Sequence, residues 1–150
     1  MAFDNFLIGR VYVIRWIDPT VADGIKLLRG VEQAHERLGE KLIYVAIAPR
    51  DSPPPPEQLR MVMASHLTTM LLHCEVMHLV FEGVGFSQTV KRMALASIVM
   101  VSGMKGRMLV HGTTEQLIAA APPDHRVEIH KALKAARIAV APLAPGAMPK

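Results

Sequence analysis

Residues 83–121 read GVGFSQTVKRMALASIVMVSGMKGRMLVHGTTEQLIAAA, and this stretch decides the fold class. Gly83-Val84-Gly85 is a turn, and Ser87 caps the helix that follows it. Val90, Met93, Ala94, Ser97, Ile98 and Val101 recur at helical spacing on one face of that helix. Gly103 and Gly106 flank the next turn, and residues 107–111 (RMLVH) form a short apolar strand. Thr113 and Gln116 stand at capping-box spacing ahead of Leu117, Ile118 and Ala121, and Pro122-Pro123 stops the helix they open. Turn, helix, strand and helix in this order predict an α/β domain with a mostly parallel sheet.

The same alternation extends toward the N-terminus. Residues 76–82 (VMHLVFE) and 41–48 (KLIYVAIA) are near-continuous apolar runs, the pattern of strands buried on both faces. Between them, Pro53 to Pro56 form a stiff extended step. A helix then starts near Pro56 or Glu57 and carries Leu59, Val62, Met63, His66, Leu67, Met70 and Cys74. Residues 6–17 are rich in β-branched and aromatic side chains and are interrupted by Gly9-Arg10, so they read as two short strands or one bent strand. Asp18 or Thr20 caps the first helix, Gly39 ends it, and Val21, Ile25, Leu28, Val31, His35 and Leu38 define its apolar face. The expected architecture is therefore a sheet of four to five strands with alternating helices over residues 1–121. Residues 122–150 add a basic helix over 124–137, with Val127, His130, Leu133 and Lys134 on its inner side, and a mobile Ala/Pro-rich tail.

Composition excludes several functions. The net charge of +4 lacks the dense basic face with interleaved aromatics of a nucleic-acid binder. No apolar run is long enough to span a bilayer, and the N-terminus lacks a secretory pattern. A single cysteine, Cys74, rules out an internal disulfide and fits the reducing cytoplasm. His66, His73, Cys74 and His78 are the one grouping with metal-binding chemistry, but no second closely spaced pair accompanies them, so they read as packing residues and no metal or cofactor is expected. Cys74 has no helix start or glycine turn to activate it as a nucleophile. The Gly83-Val84-Gly85 loop lacks the third glycine of a dinucleotide fingerprint and the lysine of a P-loop. The ten methionines read mostly as core filler, with a minority able to line a partner surface, and Trp16 covers the core edge.

Three passages carry a likeness to a known family: Ile17-Asp18-Pro19-Thr20-Val21-Ala22 at the first crossover, Val90-Lys91-Arg92-Met93, and Val110-His111-Gly112-Thr113-Thr114-Glu115-Gln116-Leu117. With the order of elements, they resemble the STAS domain family (sulfate transporter and anti-sigma factor antagonist) over residues 6–121. The resemblance implies an N-terminal strand or hairpin followed by alternating helices and strands. It also implies a Ser or Thr, phosphorylated by a partner kinase, at the start of the second helix. Asp51-Ser52 occupies the corresponding loop, although Pro53 to Pro56 stand where the family has a glycine and the helix start.

The expected function is that of a non-enzymatic regulatory or adaptor protein with a protein partner, such as a kinase or another regulatory protein. Ser52 is the expected switch and Arg50, Asp51 and Glu57 the partner-binding loop, and a homodimer through apolar helix faces is open. The alternative is a small-ligand or enzymatic site at the C-terminal ends of the strands, where open α/β sheets bind ligands. Glu82, Ser87, His111 and Thr113 would line it, together with Asp51 and Ser52.

Overall fold

The computed structural model describes residues 3–17, 20–50, 56–82, 107–140 and 142–143. Two strands, β1 (Phe3–Ile8) and β2 (Val11–Trp16), form an antiparallel hairpin closed by Gly9-Arg10. Three more, β3 (Leu42–Ala48), β4 (Cys74–Phe81) and β5 (Met108–His111), continue the sheet in parallel with β2. The spatial order is β1-β2-β3-β4-β5, so sheet order follows chain order. Helix α1 (Val21–Leu38) connects β2 to β3, and α2 (Glu57–His73) lies between β3 and β4. Helices α3 (Thr114–Ala120) and α4 (Pro123–Ala135) follow β5. The α/β architecture with a mostly parallel sheet is the one the alternation predicts. Residues 83–106, with the expected helix capped by Ser87, lie outside the described residues.

Local chemistry sets the element ends. Thr20, rather than Asp18, is the N-cap of α1: its hydroxyl accepts from Asp23 N at 3.2 Å while the Asp23 carboxylate accepts from Thr20 N at 2.8 Å. Gly39 ends the helix at φ 71, a left-handed conformation that costs a residue with a Cβ. At α3 the Thr113 hydroxyl accepts from Gln116 N at 3.1 Å. The Gln116 side chain reaches back one residue further than a standard capping box and accepts from Gly112 N at 2.7 Å.

Two cores flank the sheet. All seven residues of β3 are buried, as its unbroken apolar run predicts. Burying each of its Leu, Ile and Val side chains contributes roughly 1.5–3 kcal/mol relative to exposure. On one face Tyr12, Ile14, Trp16, Leu42, Tyr44, Ala46, Cys74, Met77 and Leu79 meet α1 and α2. On the other, Val11, Val13, Ile43, Val45, Ile47 and Val80 meet α3 and α4 through Leu117, Ile129, Ala132 and Leu133. The basic C-terminal helix is thus the cover of the second face, and that core joins residues from both sides of position 121.

Three details of the sequence reading need correction. The inner side of α4 is His125, Ile129, Ala132 and Leu133; Val127 and His130 are half-buried and Lys134 is exposed. The buried side of α1 is Asp23, Gly24, Leu27, Val31 and Ala34, while Ile25 and Leu38 face outward. Small residues produce that rotation: Gly30 lies so close to the Tyr12 hydroxyl that a Cβ there would collide with it. Cys74 is the first residue of β4 rather than the end of α2, because the strand starts directly after His73 with no connecting loop.

The start of β4 is irregular. Leu42 pairs with Cys74 but Ile43 pairs with Val76, so Glu75 is the extra residue. A one-residue offset exchanges the faces of every side chain that follows. Met77 and Leu79 consequently join the α1–α2 core, and His78 turns to the α3–α4 side.

Candidate functional site

Only part of the expected site set falls within the described residues. Arg50 is exposed just past β3, Glu57 is the exposed first residue of α2, and Asp51 and Ser52 lie outside the described residues. Of the alternative set, Glu82 is half-buried after β4 and its N–H donates to Ala48 O at 3.0 Å. His111 ends β5, level with Val80 and two residues short of Glu82 on the neighbouring strand. Thr113 is occupied as the α3 cap, and Ser87 lies outside the described residues. Of the alternative set, Glu82, His111 and Thr113 are placed near the C-terminal end of the sheet, where Arg50 also follows β3.

The expected cluster of His66, His73, Cys74 and His78 disperses. Cys74 is buried in the α1–α2 core, and burial pushes its thiol up to about 12, against a lowering influence of Arg107. A thiol held neutral in this way is a packing group, not a nucleophile. His78 crosses to the other face and meets His111, with His78 Nδ1 and His111 Nε2 3.0 Å apart and both rings buried. Burial lowers His78 to about 4, with further lowering from His111 and His125; burial lowers His111 as well. The pair is neutral at pH 7. His78 Nε2 has no hydrogen-bond partner among the described residues. An under-satisfied acceptor is less costly than an orphaned N–H, so we assign the proton to His78 Nδ1, donating to His111 Nε2.

A polar strap lies at the start of β3 and β4. Arg10, in the hairpin turn, donates from Nε and Nη2 to Glu128 on α4 at 2.9–3.2 Å and from Nη1 to Glu75 at 3.0 Å. The Glu128 hydrogen bond is the main reason the Arg10 proton is held more firmly than usual. Glu75 also lies 3.5 Å from Nε2 of the buried His125. The extra residue at the start of β4 thus supplies the carboxylate that joins the hairpin, the sheet and α4.

A different kind of surface runs along α2. Glu57, Met61, Ser65, Thr68 and Leu72 are all exposed. At 100° per residue they fall within about 40° of Met61 on one side of the helix. Met61 is 66% exposed and Leu72 64%, values usual for charged side chains rather than large apolar ones. They stand about 16 Å apart along the axis, and no charged residue lies on the stripe between them. The apolar count of α2 was legible in the sequence, but its division between core and surface was not.

Two further features are polar and partly open. His35 on α1 and His73 on α2 approach to 2.7 Å between their Nδ1 atoms, with ring centroids 4.9 Å apart and planes at 63°. A cavity of about 220 Å³ lies between the hairpin and α1, lined by Asn5, Tyr12, Gly30, Gln33 and Arg37. Among the described residues no group of three or more His, Cys, Asp or Glu side chains is arranged to hold a metal ion. Among them, too, no helix is long and apolar enough to cross a membrane.

No family model matches this chain, and no match was found among curated proteins or among solved structures.

Proposed function

We propose that this protein is a non-enzymatic, STAS-like regulatory or adaptor protein that docks a protein partner on the outer stripe of α2. The exposed, uncharged line from Met61 to Leu72 carries the reading, because two large apolar side chains held in water at this spacing fit an amphipathic surface of a partner. Glu57 stands at the head of the same line, which joins the loop expected to contact the partner to the helix face. The hairpin followed by alternating helices and strands agrees with the architecture that the family resemblance implies. Ser52 precedes α2 by a few residues, and a phosphate there would add about −1.5 to −2 charges next to the docking segment in the chain. The free, buried Cys74 accords with a reducing cytoplasmic setting.

The ligand-binding or enzymatic reading would rest on His111 and Glu82. It has less support, because His78 and His111 bond to each other inside the protein and are 0% and 8% exposed. Reacting groups need reach to a substrate. A second copy of the chain on α2 is the other occupant of the stripe.

Quantitative affinity purification from the native cells tests the reading. Wild type, the double variant Met61→Glu/Leu72→Glu, and a control Lys131→Glu on exposed α4 would be compared, each with its fold checked by circular dichroism. We expect a partner enriched by wild type and control and lost from the double variant. Recovery of the same partners by the double variant would overturn the proposal.

A further inference from the structure

We propose that His35 and His73 form a two-histidine clip for one transition-metal cation of the Cu(II) or Ni(II) type, bridging α1 and α2. Nothing in the adaptor reading requires this site. The two Nδ1 atoms are 2.7 Å apart, and both imidazoles are only partly buried, so the pair can be reached from solvent. Imidazole is a ligand of intermediate softness suited to Zn, Cu and Ni.

The separation discriminates among those metals. With metal–nitrogen distances of about 2.0–2.1 Å, nitrogens 2.7 Å apart subtend roughly 82° at a shared ion. Widening the pair by about 0.2 Å brings this to the roughly 90° between neighbouring ligands of a tetragonal Cu(II) or Ni(II) site. A tetrahedral Zn(II) site needs the nitrogens about 3.3 Å apart, an opening near 0.6 Å against packed helices. The smaller opening favours Cu(II) and Ni(II), and the ordinary affinity order independently places Cu(II) ahead of Zn(II).

The surroundings accept a cation. His35 lies in the last turn of α1 and His73 is the last residue of α2, so both ligands sit at helix ends that carry partial negative charge. The α2 end already draws one cation: Arg107 Nη2 donates to the carbonyls of Leu71 and Cys74, each at 2.8 Å.

In the metal-free pair one ring donates from Nδ1 to the other. When both Nδ1 atoms bind the ion, each ring keeps its single proton on Nε2. Among the described residues no further His, Cys, Asp or Glu completes a set, so water fills the remaining positions.

The test uses untagged full-length protein titrated separately with Cu(II), Ni(II) and Zn(II). Calorimetry gives stoichiometry and affinity, and electron paramagnetic resonance of the Cu(II) form gives the coordinating nitrogens. We expect one equivalent of Cu(II) or Ni(II), coupling to two imidazole nitrogens, and weaker Zn(II) binding. His35→Gln and His73→Gln should each weaken Cu(II) binding by more than the roughly 10–100-fold that loss of an outer-shell partner costs, while His66→Gln should leave it unchanged. Should either variant unfold, Ni(II) broadening of imidazole resonances in the wild type locates the ion directly. Absence of binding, unchanged binding in folded His35→Gln and His73→Gln, or broadening centred on other histidines would each overturn the proposal.

Discussion

Acid should destabilise this protein through His78. In the unfolded chain this imidazole takes a proton near 6.5, whereas in the fold burial and its two histidine neighbours hold it to about 4. Between those values the unfolded state binds more protons, so stability rises with pH. The contribution is complete above pH 6.5 and is lost as pH falls through about 4. The difference corresponds to about 3 kcal/mol, a large fraction of the stability of a domain this size. His111 is lowered by burial and acts with the same sign. Replacing both partners, His78→Leu with His111→Leu, removes the titration without leaving one imidazole orphaned. Urea unfolding followed by the fluorescence of Trp16 would be measured for both proteins from pH 7 to pH 4. Carboxylate titrations common to the two cancel in the difference. The expected result is a shift of at least about 3 kcal/mol in favour of the double variant between pH 7 and pH 4. Parallel stability profiles would refute the assignment of His78 as a buried neutral imidazole.

Two more outcomes follow from close packing on the α1–α2 side. Gly30→Ala should destabilise by about 1–3 kcal/mol, because the added Cβ would collide with the Tyr12 hydroxyl. Combining it with Tyr12→Phe should recover most of that loss in thermal melts, since the next ring atom is 3.4 Å away; no recovery would place the strain elsewhere. Cys74 should react with a disulfide reagent at pH 8 only as fast as the protein opens, since the thiol is buried and pushed up to about 12. Immediate labelling of the native protein would contradict its placement in the core.

The parts of the fold legible in the sequence are those with local causes. The Gly9-Arg10 turn, the Thr20 and Thr113 caps, the Gly39 terminator and the buried run of β3 all depend on residues a few positions apart. The candidate sites depend on contacts between distant segments. His35 meets His73 across 38 residues, His78 meets His111 across 33, and Arg10 meets Glu128 across 118. No spacing rule could pair them, because each pair needs the crossovers to be known and His78 also needs the offset at Glu75. The rotated face of α1 was hidden for another reason. A periodicity that weights large apolar residues selects Ile25 and Leu38, whereas Gly24, Gly30 and Ala34 allow the close approach that decides the packing. Helix α2 differs in another way: the face read from the sequence includes half-buried Val62, Met63 and His66, misses buried Leu71, and leaves Met61 and Leu72 unassigned. Asp51, Ser52 and Ser87 lie outside the described residues, so the expected switch rests on the sequence alone.

The docking stripe can be probed in living cells by placing a photo-crosslinking amino acid at position 61, at position 72, or at exposed position 131 on α4. Positions 61 and 72 should capture the same partner protein and position 131 should not. Capture from position 131 alone, or equal capture from all three, would contradict the assignment of α2 as the recognition surface.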